Sequence, residues 1–138
     1  MRVDGRCHCG AIAYSAEADP ADVSICYCTD CQQLSGSPYR LSVPVRAEDF
    51  VLSAGRPKIY VKTAESGARR RQAFCGDCGA PVYSSAESNP TSYSLRIGAL
   101  AQRAELPPRL QQWMRSKPAW LEPVAGIPSF EKGAPRRR

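Results

Sequence analysis

The sequence predicts a mainly β domain built of antiparallel sheets, for three reasons. Several short segments alternate apolar and polar residues or are rich in β-branched and aromatic ones. Gly, Pro, Ser and Asn separate these segments, and no strand–helix–strand rhythm is present. The chain has 138 residues, which suffices for one domain. We therefore predict a single domain over residues 1–133 and a basic tail over residues 134–138, which we expect to be disordered.

The first predicted elements lead into a cluster of thiols. AIAYSAE, residues 11–17, is short and partly alternating, as expected of a strand. ADVSICYC, residues 21–28, carries a second strand into the cluster. TDCQQLSG, residues 29–36, starts with Thr and Asp, which often begin helices, and ends at Gly36. It predicts one or two helical turns.

The remaining elements are mostly strands. RAEDFVL, residues 46–52, predicts one helical turn. The sequence after Glu105 is interrupted by several prolines. Because that stretch holds both Trp113 and Trp120, we expect part of it to pack on the sheet. Strand-like composition with flanking turn residues predicts strands at residues 39–45, 58–63, 71–74, 81–84 and 92–97.

Charge and composition narrow the class of protein. The net charge is +6, concentrated in the runs 69–71 and 136–138. The chain has no zinc-finger spacing, no helix-turn-helix signature and no aromatics interleaved with its arginines, so nucleic-acid binding is a weak alternative. No apolar run is long enough to span a membrane, and the first residues do not resemble a signal peptide. We expect a cytoplasmic protein whose cysteines stay reduced and serve metal binding or catalysis.

The seven cysteines fall into three clusters with different geometry. Thiols separated by one residue on a strand point to the same face, and they converge on one metal if the strand end curls. CGDCG predicts a tight knuckle, in which Gly76 and Gly79 permit a turn that aims amide hydrogens at the sulfurs. The clusters are Cys7-His8-Cys9, Cys26-Tyr27-Cys28-Thr29-Asp30-Cys31 and Cys75-Gly76-Asp77-Cys78.

Joining a pair of thiols separated by one residue with the pair in the CGDCG knuckle gives a closed zinc site of four thiolates. Its ligands would be Cys7, Cys9, Cys75 and Cys78. A site with four sulfur ligands is chemically quiet, so its role is folding. The alternative is that these are ordinary buried thiols. Spacing alone does not decide which pairs join.

Cys26, Cys28 and Cys31 remain, and three ligands around zinc leave one position for water or a substrate. The odd thiol count is therefore what an open, catalytic site would produce. Three alternatives stay open: His8 completes the tetrahedron, Asp30 completes it, or the thiols form a redox pair with one to spare.

Four segments resemble the glutathione-dependent formaldehyde-activating enzyme family, which also includes centromere protein V. They are GRCHCGAIAY, CYCTDCQQLSGSPY, FCGDCGAPVYS and KPAWLEPVAGIPSFEKG, in the same order and with similar spacing. The resemblance implies a β-tent (Mss4-like) fold of antiparallel sheets with short helical turns and two zinc ions per chain. It implies a structural zinc on Cys7, Cys9, Cys75 and Cys78, and a second, substrate-facing zinc on Cys26, Cys28 and Cys31.

The activity that the resemblance implies is that of a carbon–sulfur lyase, which reversibly joins formaldehyde to glutathione. We expect the ligand to be a small-molecule adduct of a thiol, glutathione or a similar one, with formaldehyde or another small aldehyde. Tyr27, Ser35, Ser37 and Tyr39 flank the thiols and could line the pocket, although packing or turn roles are open for each. Glutathione carries two carboxylates, for which Arg40, Lys58 and residues 69–71 offer basic donors.

Two other functions compete with the enzyme. One is a zinc-stabilised binding module without catalysis, whose basic patches meet a protein or nucleic acid. The other is a redox or metal-buffering protein that uses CYCTDC as a labile thiol cluster. The sequence specifies neither the aldehyde, nor the thiol, nor the oligomeric state.

Overall fold

The computed structural model describes residues 1–135, which form two β-sheets, one α-helix and five short 3₁₀ turns. Among these residues no helix is both long and apolar enough to cross a membrane. The predicted class, mainly β with short helical turns, is confirmed. The elements are β1 (Arg2–Arg6), β2 (Ala13–Glu17), β3 (Ser24–Cys26), α1 (Thr29–Ser35), β4 (Arg40–Arg46), β5 (Val51–Ala54), β6 (Lys58–Thr63), β7 (Arg69–Phe74), β8 (Pro81–Ala86), β9 (Ser92–Arg96) and β10 (Leu110–Gln112).

The small sheet has three strands in the order β1-β2-β5, and the large sheet has seven in the order β10-β3-β4-β9-β8-β7-β6. Every pairing between these strands is antiparallel except that of β10 with β3. The β6–β7 and β7–β8 neighbours are hairpins, whereas β4 pairs with β9 across a long stretch of chain.

The core lies between the two sheets. Its wholly buried side chains are mostly aliphatic, with Val3 from the small sheet facing Val43, Val82 and Leu95 from the large one. An aromatic cluster closes one side of this core: ring centroids are 5.5 Å apart for Tyr14–Phe50, 4.9 Å for Phe50–Tyr93 and 4.6 Å for Tyr83–Tyr93. Tyr14 belongs to the small sheet and Tyr83 and Tyr93 to the large one, so the rings join the two layers.

The opposite face of the large sheet is polar, and we call it the polar sheet face. Successive side chains of a strand alternate between faces, and directly paired residues share one. The register pairs Cys26 with Arg40 and Ser42 with Arg96. It continues through Ser94 and Ser84 to Gln72. The polar sheet face thus carries Cys26, Arg40, Ser42, Arg96, Ser84 and Gln72, and its last four members are buried.

Most predicted elements are present, and three strands were missed. β1 has only Val3 and Gly5 as inward residues between charged ones, and β5 is exposed at every position, so neither shows an apolar pattern. The helical turn predicted over residues 46–52 is wrong in extent. The turn covers Ala47–Asp49, and Val51 already belongs to β5.

The proline-broken segment packs on the large sheet through β10, which was also missed. The Gln111 amide Nε2 donates to Val124 O at 2.8 Å and to Ser129 Oγ at 3.0 Å. Trp113 is half-buried, with the Arg115 guanidinium 5.3 Å from its ring centroid. Trp120 is 74% exposed, so the expected packing does not extend to it.

The predicted division into a domain over residues 1–133 and a tail stays a prediction. The first tail residue, Ala134, donates its N–H to Gln112 Oε1 at 2.8 Å. Residues 136–138 lie outside the described part of the chain.

We predict that Gly5→Ala destabilises the protein, because Gly5 lies directly under the Tyr14 ring. A Cβ at Gly5 would lie 2.1 Å from Tyr14 Cζ, so the ring would have to leave the core. Overpacking of this kind costs about 1–3 kcal/mol of unfolding free energy, measured by chemical denaturation. Gly98→Ala is the matched control: it meets no atom within 4 Å and has no positive φ, so it should change stability by less than about 0.5 kcal/mol. Equal stability of the two variants would contradict the packing described.

Candidate functional site

Four sulfurs from two distant turns come together between the sheets. Cys7 and Cys9 lie in the turn between β1 and β2, and Cys75 and Cys78 lie in the turn between β7 and β8. All four sulfurs lie within 4.8 Å of one another, with Cys7–Cys9 at 3.7 Å and Cys9–Cys75 at 3.8 Å. A tetrahedron with zinc–sulfur bonds of about 2.3 Å has edges of about 3.8 Å, so this group has the size that a zinc ion requires.

The two turns present amide hydrogens to these sulfurs. Ile12 N donates to Cys7 Sγ at 3.2 Å. The backbone N–H groups of Ala80 and then Cys9 lower the pKa of the Cys78 thiol to about 6. Gly79 has φ of 79°, as the predicted knuckle needs, whereas Gly76 does not have a positive φ. The first pair differs from the prediction, because Cys7 and Cys9 follow β1 instead of lying on a strand.

Cys26, Cys28 and Cys31 form a second group within 4.8 Å. Cys26 ends β3, Cys28 precedes α1 as its N-cap, and Cys31 lies in the first turn of the helix. The Cys28 sulfur itself accepts the N–H of Cys31 at 3.3 Å, which fixes the start of the helix. The predicted stop is confirmed: Gly36 ends α1 with φ of 67°. Thr29 and Asp30, predicted as the helix start, are its first two residues rather than its cap.

The second group concentrates negative charge on one sulfur. Hydrogen bonds from Cys26 and then Cys31 lower the pKa of the Cys28 thiol to about 2. The pKa of Cys26 is raised, because its proton is shared first with Cys28 and then with Cys31. Thiolate ligands are what zinc binds, so both groups have the donors and the spacing to hold a metal ion.

The surroundings hold this cluster in place. Tyr27 points to the other side of β3, where its hydroxyl donates to Gln111 Oε1 at 3.2 Å. Gln32 Nε2 donates to Tyr27 O at 2.8 Å and to Ser116 O at 3.0 Å, which links α1 to the C-terminal segment. Tyr27, one of the candidate pocket residues, is thus a buried packing residue.

The structure places neither proposed fourth ligand in the second group. His8 is exposed and belongs to neither sulfur group. Asp30 instead pairs with Lys62, at 2.9 Å between Oδ2 and Nζ. Within residues 1–135, no fourth Cys, His, Asp or Glu ligand atom joins the three sulfurs at this spacing.

A basic cleft of about 770 Å³ is lined by Arg40, the strand partner of Cys26, but by none of the three cysteines themselves. Ser35, Ser37 and Tyr39 line it, as the sequence suggested, and so does His8. Its arginines are Arg6, Arg40, Arg96 and Arg103. Arg40 and Arg96 also line a smaller cavity of about 310 Å³, together with Leu34 of α1 and Gln72. Of the other basic candidates, Lys58 and the 69–71 run line neither cavity.

Sequence reasoning missed Arg96 and Gln72. Arg96 is 93% buried by residue, and its Nη1 donates to Ser42 Oγ at 2.6 Å. Burial, and then the charge of Arg40, lower the pKa of Arg96 to about 9. Gln72 accepts from Arg40 Nη1 at 3.0 Å. The signal in the sequence was the polar alternation of SYSLR, but an exposed strand face has the same pattern.

Comparisons with known proteins agree on family and fold. A family model described as glutathione-dependent formaldehyde-activating enzyme matches residues 2–116. The crystal structure of a Rhodobacter sphaeroides protein has a similar fold, with a TM-score of 0.56 and 24% sequence identity. The match covers 73% of this chain and 88% of that one, and at this identity it shows the fold alone. No curated protein sequence matches the chain.

We predict opposite outcomes for the two sulfur groups on substitution. Cys78→Ala should give an unfolded chain. A structural zinc contributes about 10–16 kcal/mol of apparent binding energy, comparable to the whole stability of a domain. Cys28→Ala should leave a folded protein with one zinc ion per chain. Circular dichroism and elemental analysis would measure both, and a Cys28→Ala variant that unfolds as completely as Cys78→Ala would refute the difference.

Proposed function

Because the chain belongs to the glutathione-dependent formaldehyde-activating enzyme family, we propose that it is a zinc-dependent carbon–sulfur lyase. Its substrate is the adduct of a thiol, glutathione or a similar one, with formaldehyde or another small aldehyde. In this proposal Cys7, Cys9, Cys75 and Cys78 hold a structural zinc, and Cys26, Cys28 and Cys31 hold the second.

The observation that carries the proposal is the difference between the two sulfur groups. One has four sulfurs at tetrahedral spacing, and the other has three with no fourth protein ligand within the described residues. Arg40, which faces Cys26 across β3 and β4, also lines a cleft large enough for a small peptide-like thiol. A closed group supports folding, whereas a three-ligand group leaves a position for a substrate.

A bound zinc ion would supply Lewis acidity and would favour the ionised form of a thiol that enters the fourth position. In the synthetic direction a carbon–sulfur bond forms between the thiol sulfur and the carbonyl carbon of the aldehyde. The carbonyl π electrons move to oxygen, which takes up the proton that the thiol lost. The lyase direction reverses these changes.

The chain's own residues contribute position and charge. The cysteines fix where the thiol sulfur lies relative to the cleft, which lowers the entropic part of the barrier. Arg40 faces Cys26 across β3 and β4, and the charges of Cys26 and Cys31 act on Arg96. The two arginines therefore place positive potential where an anionic sulfur and the carbonyl oxygen must be stabilised.

The proposal includes a reducing compartment, the cytoplasm, because metal-binding thiols must stay unoxidised. The competing binding module has less support. Arg69 of the first arginine run pairs with Glu87, at 3.0 Å between Nε and Oε1. That run is therefore partly neutralised as a surface for nucleic acid.

We predict that a thiol binds directly at the second metal. In protein loaded with Co²⁺ in place of zinc, glutathione should change the visible absorption, because a sulfur ligand enters the coordination of one metal. Oxidised glutathione, which has no thiol, is the control and should leave the spectrum unchanged. A spectrum insensitive to glutathione would favour the binding-module alternative.

We also predict catalysis of adduct formation. Exchange between glutathione and its formaldehyde adduct, followed by two-dimensional exchange NMR, should be faster with the wild-type protein than in buffer. Cys28→Ala, which retains the structural group, should return the exchange rate to that of buffer. Acceleration of equal size by Cys28→Ala would exclude the three-sulfur group as the catalytic site.

A further inference from the structure

We propose that Arg96, with Gln72 beside it, is an anion anchor for the substrate, so that the site selects thiols carrying a carboxylate. The inference rests on the proposed function, because it concerns the ligand of the same site. It adds the residues that recognise the part of the substrate away from the sulfur.

The first argument is position on the polar sheet face. Cys26 lies opposite Arg40, and Ser42, two residues along β4, lies opposite Arg96. Arg96 is therefore two strands away from Cys26 and two residues further along the sheet, a separation of about 12 Å. A ligand whose sulfur is at Cys26 can reach Arg96 with a second group only if that group is several bonds from the sulfur.

The second argument is hydrogen-bond capacity. Arg96 Nη2 and Gln72 Nε2 are buried and have no hydrogen-bond partner in the described part of the chain. Both atoms are donors, and both side chains line the same 310 Å³ cavity. An unmet buried donor is costly, about 1–3 kcal/mol and more for a charged group, so the pair calls for an acceptor. A carboxylate offers two acceptor oxygens, and Arg binds that group with matched geometry.

The third argument is charge. No Asp or Glu is among the residues that line either cavity in residues 1–135, whereas four arginines are. A zinc ion held by three protein thiolates and a substrate thiolate carries two negative charges. Of the four arginine charges, two are thus left for the rest of the ligand to balance. A neutral ligand tail would leave the buried Arg96 with only the more distant thiolates of the three-sulfur group as counter-charge, which is unfavourable.

The test compares two thiols that differ only in charge. N-(mercaptoacetyl)glycine has a carboxylate several bonds from its sulfur, and its carboxamide is neutral. Each is titrated into Co²⁺-loaded protein and followed by visible absorption. We expect the acid to bind roughly tenfold or more tightly than the amide, as a charged hydrogen-bonded pair implies. Equal affinities would overturn the anchor while leaving thiol binding intact.

Two variants assign the preference to Arg96. Arg96→Gln should reduce the ratio of affinities for acid and amide to about one, whereas Arg46→Gln should leave that ratio unchanged. The Arg46→Gln substitution removes the same charge from the same sheet, but the Arg46 side chain is exposed and pairs with Glu48 and Asp49 outside both cavities.

If Arg96→Gln fails to fold, Gln72→Glu tests the same point with little change of shape. Its carboxylate would occupy the anchor beside Arg40 and should also abolish the preference. A preference that survives in a folded Arg96→Gln or Gln72→Glu variant refutes the proposal.

An experiment on the metal-loaded protein, whose signal does not come from the metal, separates this inference from the proposed function. Propionate, which has no thiol, is titrated while the Arg96 Nε–Hε signal is followed by ¹⁵N NMR, assigned by its loss in Arg96→Gln. A saturable shift supports the anchor, even if no thiol perturbs Co²⁺ and the proposed function fails. No shift, together with equal affinity for acid and amide, would mean that water alone meets these donors, and the anchor would be wrong.

Discussion

The meeting of four sulfurs between two turns is the contact on which the rest of the fold depends. Cys7 and Cys9 come from the small sheet, and Cys75 and Cys78 from a hairpin of the large one, so a shared ion would cross-link the two layers. Such a link would add to the apolar contacts that valines such as Val3, Val43 and Val82 make in the buried core. The aromatic rings around Phe50 close only one side of that core. Metal–sulfur bonds would add their binding free energy to the hydrophobic free energy that this core supplies.

The large sheet divides its two faces between stability and chemistry. Leu95 and Val43 face the small sheet and make the core, whereas Arg96 and Ser42, one residue away on each strand, lie on the polar sheet face, and Arg96 lines both cavities. The register of the β4–β9 pairing therefore decides which side chains face the core. A shift of one residue in the β4–β9 pairing would move the arginine into the core and a leucine into the cleft. The same hydrogen bonds that hold the strands together thus keep the charged face in position, and the buried Arg96 is tolerated because the sheet fixes it next to Ser42.

Sequence reasoning identified what local chemistry determines and missed what tertiary packing determines. The three cysteine clusters, the stop of α1 at Gly36 and strand β6 follow from spacing and from turn residues close in the chain, whereas the joining of Cys7 and Cys9 with Cys75 and Cys78 also needed the family resemblance. β1 and β10 were missed because each is held by partners, such as Leu100 beside Gly5 and Ser24 beside Leu110, rather than by its own pattern. Arg96 was missed for a similar reason. Serine and arginine alternating with Tyr and Leu describe an exposed strand equally well, and only the cover provided by α1 and the neighbouring strands makes that face a buried one.

The cap of α1 has a consequence for how the protein responds to electrophiles and oxidants. The sulfur that begins the helix, Cys28, is also the one member of its trio whose pKa is lowered, by hydrogen bonds from Cys26 and then Cys31. Alkylation or oxidation there would remove both a ligand and the acceptor for the Cys31 amide. A single covalent modification would then weaken the start of the seven-residue helix that carries Gln32, whose side chain donates to Ser116 O. Modification of this one ligand atom would therefore affect metal binding and the order of the helix together.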